Sequence, residues 1–419
     1  MRPPRSIDST SSMRLASLLA LTLATVLPAH ARAAPCKDLP NPIYLQVGDT
    51  QQNLMKRLGR ALRDNKRPDG SANPITLVFV LNGSCTNITA IYAKVPLKGN
   101  LFYIPSIAED VAGAPWKPSD APLTCTVPDG ATDPGVEVDI ANSALFNSAC
   151  RDDGPPATVQ LTQGPVQAYV LAVPIASSQT AITFEEAYFV FGFGAAGMIA
   201  PWIDEAQLWV RKVTKSTLLA WARNLSIPAD KFKGQKLEAS TDVVNGLNLG
   251  NPAAIGILGA EVYDANRTTM KSLAYRAKGQ YAAYYPDSSS SARDKQNVRD
   301  GHYTVWSPTI WMDRIDATTG APTKVDARYV VDLIAGKTVT PAPSFSMIDV
   351  IAAVGLVPDC AMRVNRAVEG GPLTLYRPTE SCTCKYESLA APTATACAAC
   401  SATMGCATGV CRNGLCEDH

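Results

Sequence analysis

Three groups of residues have the chemistry for catalysis or ligation: the histidines, one glycine-rich run and the cysteines. His30 lies in the N-terminal leader stretch and His419 is the final residue, so His302 is the one imidazole of the body. A Ser-His-Asp hydrolase would need it, yet no G-x-S-x-G elbow accompanies it and no histidine spacing suits a metal. The sequence therefore points to no catalytic residue and no metal ligand, and the chain reads as a non-enzyme. Gly192-Phe-Gly194-Ala-Ala-Gly197 has the spacing of a dinucleotide fingerprint. That fingerprint needs a helix continuing past the third glycine, whereas Pro201 lies four residues on, so the run reads as a flexible loop with no cofactor. Of the twelve cysteines, Cys36, Cys85, Cys125 and Cys150 lie early and eight crowd between Cys360 and Cys416. Both groups are even in number, which suits disulfides paired within each group in an oxidising compartment. The single C-x-x-C, Cys397 to Cys400, lacks the matched second pair that a zinc site uses.

Export is also written at the N-terminus. Arg2, Arg5 and Arg14 precede the apolar stretch Leu15 to Leu27, and Ala29-His30-Ala31 and Ala31-Arg32-Ala33 offer A-x-A cleavage sites. Residues 1–33 are expected to be a signal peptide, because about 13 apolar residues are too few to span a bilayer. No later apolar run is longer, so no transmembrane segment is expected in the mature chain, which is placed in the periplasm or secreted. Lys and Arg total 38 against 37 Asp and Glu. That balance provides no long-range field for nucleic acid or anionic lipid. The 419 residues exceed what one core usually supports, which argues for two lobes and an appendage.

The elements that would position a site follow an α/β rhythm. Pro42 to Val47 reads as a strand, and Gly48-Asp49-Thr50 turns into a helix with Asp49 or Thr50 as its cap. Leu54, Met55, Leu58, Ala61 and Leu62 recur at helical spacing, leaving Lys56, Arg60 and Arg63 toward water. Ile75 to Leu81 is a buried strand ending at Asn82-Gly83-Ser84, with Ser84 capping the next helix. Gln167 to Pro174 repeats the pattern, and Thr183 with Glu186 forms a capping box. Trp209 to Arg211 ends a strand before a helix from about Ser216, Ser240 caps another helix, and Ala254 to Leu258 is a buried strand. Beyond Cys360 the apolar periodicity fades. So small a segment buries little, and cross-links are expected to hold it.

Taken in order, these segments resemble the phosphate-binding component of ABC importers and its type 2 periplasmic solute-binding relatives, from about residue 41 to 357. Gly48-Asp49-Thr50 resembles the first ligand loop, and Phe79 to Ser84 the strand followed by a Gly-Ser loop. Val138 to Ser143 resembles the "VDIGxSD" stretch, Trp209-Val-Arg211 through Ser216-Thr217 the arginine before Ser-Gly-Thr, and Gly301 to Trp306 the "GxYPLW" segment. The Cys-rich end resembles tails of secreted myxobacterial proteins. The resemblance implies an α/β, two-lobed type 2 periplasmic-binding-protein fold with a hinge, plus a small disulfide-rich C-terminal segment. Lobe 1 would hold residues 36–165 and 280–358, lobe 2 residues 166–279, and the tail residues 359–419.

It also implies a ligand in the interlobe cleft, touched by Asp49, Thr50, Gly83, Ser84, Ser143, Arg211, Lys215, Ser216 and Thr217. Helix starts present unpaired N–H groups, so those at Ser84 and Ser216 could grip one oxyanion, with Arg211 adding a bidentate contact. Two departures stand out: Ala144 replaces the family's aspartate, and Lys215 and Ser216 replace its Ser and Gly. A fully ionised anion or a larger acidic solute suits them better than phosphate. The partners implied are that solute and an ABC importer permease or cell-surface component. The opposing expectation is a surface or matrix scaffold with a degenerate cleft that acts through its tail.

Overall fold

A computed structural model describes residues 34–391, 397–401 and 403–417. The expected signal peptide, residues 1–33, lies outside the described residues. The strands before the C-terminal segment, in chain order, are β1 (Pro42–Gly48), β2 (Thr76–Asn82), β3 (Gly99–Tyr103), β4 (Leu123–Val127), β5 (Ile140–Ser143), β6 (Val159–Pro174), β7 (Ala181–Thr183), β8 (Leu208–Arg211), β9 (Gln235–Leu237), β10 (Ile255–Gly259), β11 (Met270–Ser272), β12 (Ala274–Arg276) and β13 (Trp306–Arg314). Eleven of them make one mixed sheet in the order β4-β3-β2-β1-β5-β13-β6-β10-β8-β9, with β11 also on β6, while β7 pairs with β12 apart from it. The fold is thus mixed α/β with a disulfide-rich C-terminal segment.

β1 lies parallel to both β2 and β5, and all but one of its residues are buried. Strands with both faces covered read as unbroken apolar runs, which is why Ile75 to Leu81 is legible as one. Alternate side chains of β1 enter different cores. Ile43, Leu45 and Val47 meet Leu54, Leu58 and Leu62 of the helix Gln52–Arg63 and Val330 of the helix Val325–Ile334. Tyr44, on the other face, joins Val78, Ile88, Ile91 and Leu101.

The sheet continues because β6 is long enough to serve two sets of partners. Its first part runs antiparallel to β13, from Val159 opposite Arg314 to Ala168 opposite Trp306. Its second part pairs with β10 and β11. A large apolar cluster forms around that second part, taking Trp202, Trp221, Leu247, Ile257, Val298, Tyr303 and Trp306. Ala361, Met362, Cys382 and Tyr386 belong to the same cluster, so the first stretch of the C-terminal segment is held by apolar packing as well as by cross-links.

Six disulfides are present. Cys36–Cys125 and Cys85–Cys150 lie in the body, and Cys360–Cys382, Cys384–Cys397, Cys400–Cys411 and Cys406–Cys416 in the C-terminal segment. Each early cysteine pairs with another early one, as the even counts implied. Near the end of the chain, the buried Glu417 accepts from the N–H groups of Cys384 and Lys385, both at 2.8 Å, at the start of the helix Thr383–Ala390. Among the described residues, no helix is long and apolar enough to cross a membrane.

Two local expectations change. Lys56 and Arg63 are buried rather than solvated: Arg63 donates to Thr76 Oγ1 at 2.8 Å and pairs with Glu109. Helical spacing shows which face is apolar, not which long polar side chains lie beneath a neighbouring strand. The capping box at Thr183 forms as read, with Thr183 N to Glu186 Oε2 at 2.8 Å and Glu186 N to Thr183 Oγ1 at 3.1 Å. Ser84 and Ser240, by contrast, are the first helical residues, with Gly83 and Ala239 at the cap positions.

Two outcomes are expected. Tyr386→Ala should lower the stability of the whole chain in urea by about 3 to 5 kcal/mol, because the ring is buried in the main core; a loss below 1 kcal/mol would mean that the segment merely hangs from its disulfides. Asp313 in β13 lies buried 2.7 Å from Arg328, and desolvation pushes its carboxyl up to about 6. Its folded pKa lies above the unfolded value, so the folded state holds the extra proton and stability falls as pH rises from about 4 to about 6. Asp313→Asn should remove that fall, read as the difference between the two proteins' unfolding free energies across the same pH range.

Candidate functional site

The turn after β1 and the end of β8 meet through Asp49 and Arg211. Arg211 closes β8 with no exposed surface, and a buried guanidinium must be neutralised and hydrogen-bonded. Its Nη2 donates to Asp49 Oδ2 at 2.8 Å and to Glu238 O at 2.6 Å, its Nε to Leu237 O at 3.4 Å, and its Nη1 to Ser240 Oγ. The same Asp49 oxygen accepts from Ser240 N and Ser240 Oγ, both at 3.0 Å. Asp49 therefore does not cap its own helix, where Gln51 holds the cap position. It reaches the start of the helix Ser240–Asn248 instead.

The helices Ser84–Tyr92 and Ser216–Leu225 also converge. Cys85 N donates to Thr214 O at 3.3 Å, and a Cβ on Gly83 would come within 2.6 Å of that oxygen. Only glycine allows this approach of backbones. Behind it, Ser84 Oγ accepts from Ala144 N at 3.1 Å, Ser143 Oγ donates to Leu145 O at 2.7 Å, and Tyr169 OH donates to Ala144 O. Ser84 and Ser143 are thus engaged within the protein, whereas among the described residues nothing hydrogen-bonds the buried hydroxyls of Thr50 and Thr217.

A cavity of about 380 Å³ opens beside Asp49, lined by Thr50, Leu81, Lys215, Glu238 and Ser240 among others. Lys215 is buried along its stem, and its Nζ lies 2.5 Å from Glu238 Oε1, a carboxylate held low by its bonds to Lys215 and Lys212 despite some burial. Of the nine residues named from the sequence, Asp49, Thr50 and Lys215 line this cavity, whereas Gly83, Ser84, Ser143, Arg211, Ser216 and Thr217 do not.

Sequence reasoning missed a buried polar relay next to it. Gln51 donates to Gln167 Oε1, and Gln167 Nε2 donates to Glu261 Oε2 at 3.0 Å. Burial pushes the Glu261 carboxyl well above the usual range, and the charges of Asp49 and Asp264 add to this. The available signal was Gln167 itself, a polar residue at the head of the apolar stretch Ala168 to Pro174. His302 is exposed and stacks on Tyr284 with centroids 5.0 Å apart; among the described residues no hydroxyl or thiol pairs with its ring. Gly194 to Gly197 form a short 3-10 turn that ends a helix instead of starting one.

No protein-family model and no curated protein sequence matches the chain. Solved structures do. A candidate phosphate ABC transporter substrate-binding protein from Clostridium perfringens, with bound phosphate, is similar with a TM-score of 0.49 and 13% identity, over 76% of this chain and 99% of that one. An ABC-type phosphate transport receptor from Vibrio cholerae has a TM-score of 0.45 and 12% identity, over 75% and 99%. The OxyR regulatory domain from Pseudomonas aeruginosa is also similar, with a TM-score of 0.37 and 9% identity, over 70% and 96%. Likeness at this level carries no argument about what this chain binds, and the fold described above rests on strand order and register.

Asp49→Asn is expected to cost about 3 kcal/mol of stability, because it leaves the buried Arg211 without a carboxylate. Urea denaturation of the full chain checks this, and an unchanged midpoint would mean that the pair does not neutralise Arg211.

Proposed function

We propose that this chain is an exported solute-binding protein that holds a small anion between two lobes without making or breaking bonds. One observation carries the reading: the walls of the cleft already hold a carboxylate, that of Asp49, by a guanidinium, a hydroxyl and a helix-start N–H. A site that satisfies one carboxylate in this way has the donors for another oxyanion. The solute enters by the cavity beside Lys215, exchanges with Asp49 for Arg211 and Ser240, and finds the unpartnered Thr50 hydroxyl in the same wall. Lys215 adds the charge that favours a fully ionised or larger acidic solute. Lobe 1 is built on β1 to β5, lobe 2 around the second part of β6 together with residues 298–306, which pack in the same core, and β6 and β13 form the hinge between them. Six disulfides fit a periplasmic or secreted location, and an ABC importer permease or a cell-surface component would receive the loaded protein.

A second reading has its own support. Arg211 is fully engaged by groups of the same chain, which suits a scaffold with a degenerate cleft acting through its tail. Thermal unfolding of the mature chain against oxyanions, sugars and amino acids separates the two. A ligand at a hundred times its dissociation constant adds about 2.7 kcal/mol. Asp49→Asn should respond more strongly to anions than the wild type, since the internal competitor is weakened. A flat response in both proteins leaves the scaffold.

A further inference from the structure

The C-terminal segment sends a hairpin, Val364–Asn365 paired with Thr374–Leu375, back over the body. Its stem rests on the part of the molecule built around the second half of β6. Val364 and Leu373 pack on that core, and Gly301, at φ 82, lies so close that a Cβ there would come within 2.9 Å of Leu373. Arg366 is buried with its guanidinium 4.1 Å from the Trp306 ring, donating to Thr304 O at 3.0 Å and Trp306 O at 3.2 Å. The tip of the hairpin leaves this platform. Glu369 Oε2 accepts from Ser307 Oγ at 2.7 Å and from Phe146 N at 3.4 Å, and Phe146 belongs to the connection after β5, on the other part of the sheet. Arg223, in the helix Ser216–Leu225, flanks the turn, its Cβ 3.4 Å from where a Cβ on Gly370 would stand.

We propose that this hairpin is a strap: anchored on one part of the molecule, it uses Glu369 to grip a backbone N–H of the other and holds the cleft closed. The carboxyl sits in a recess whose donors are Ser307 and Phe146; burial pushes its pKa up, and the hydrogen bond from Ser307 and the charges of Arg366 and Arg223 pull against that. The disulfide Cys360–Cys382 closes the chain around the hairpin and keeps the tip within reach of its recess. Glu369 does not touch the Cys85 N to Thr214 O bond, yet that bond also spans the cleft and must loosen if the strap is what keeps the parts together.

Amide hydrogen exchange in the full chain tests this without any solute, so the outcome does not depend on whether the cleft binds one. In Glu369→Ala, and in the shape-conserving Glu369→Gln should the alanine variant fold poorly, the Phe146 and Cys85 amides should exchange faster together. Leaving a buried N–H without its partner predicts roughly tenfold to a hundredfold at both. Amides of β6 and β10 should keep their rates. Faster exchange at Phe146 alone would reduce the contact to a local one and overturn the strap. So would unchanged rates at both, or an equal rise in β6 and β10, which would report general loosening.

Discussion

A guanidinium without exposed surface sets the terms for the middle of this molecule. Arg211 stands at the end of a strand where water cannot reach it, and an unpaired charge there would cost several kcal/mol. The chain answers with a carboxylate from far away in sequence, Asp49, and with the carbonyls of Leu237 and Glu238. Meeting that demand brings the turn after β1 against the start of the helix at Ser240. The position of the cavity, the seat of Lys215 and the close approach at Gly83 all follow from it.

The sheet makes the arrangement possible. β6 hydrogen-bonds to β13 along its first part and to β10 and β11 along its second, so the frames carrying Asp49 and Arg211 share one strand. Rotation of one part against the other must twist β6 and β13, not merely swing a loop. The buried relay through Gln51, Gln167 and Glu261 adds two hydrogen bonds between segments far apart in sequence.

Much of the fold could be read from local pattern. The apolar run ending at Asn82, the capping box at Thr183 and the even split of cysteines each depend on residues close in sequence, and each appears as read. The roles of Asp49, Ser84 and Ser240 could not be read in the same way. A short polar side chain after a strand looks like a cap whether it bonds its own helix or one almost two hundred residues away, and the choice is made by tertiary contacts. The burial of Arg63 escaped for the same reason. The C-terminal segment was harder still, because cysteine spacing announces cross-links but is silent about Tyr386 joining the main core.

The covalent ring made by Cys360 and Cys382 has one more consequence. A protease that cuts the exposed turn between them would free the tip of the hairpin while leaving both ends tethered by sulfur. No mass would be lost and the native core would stand. Such a nick would act as a one-way latch release, visible on a gel only after reduction.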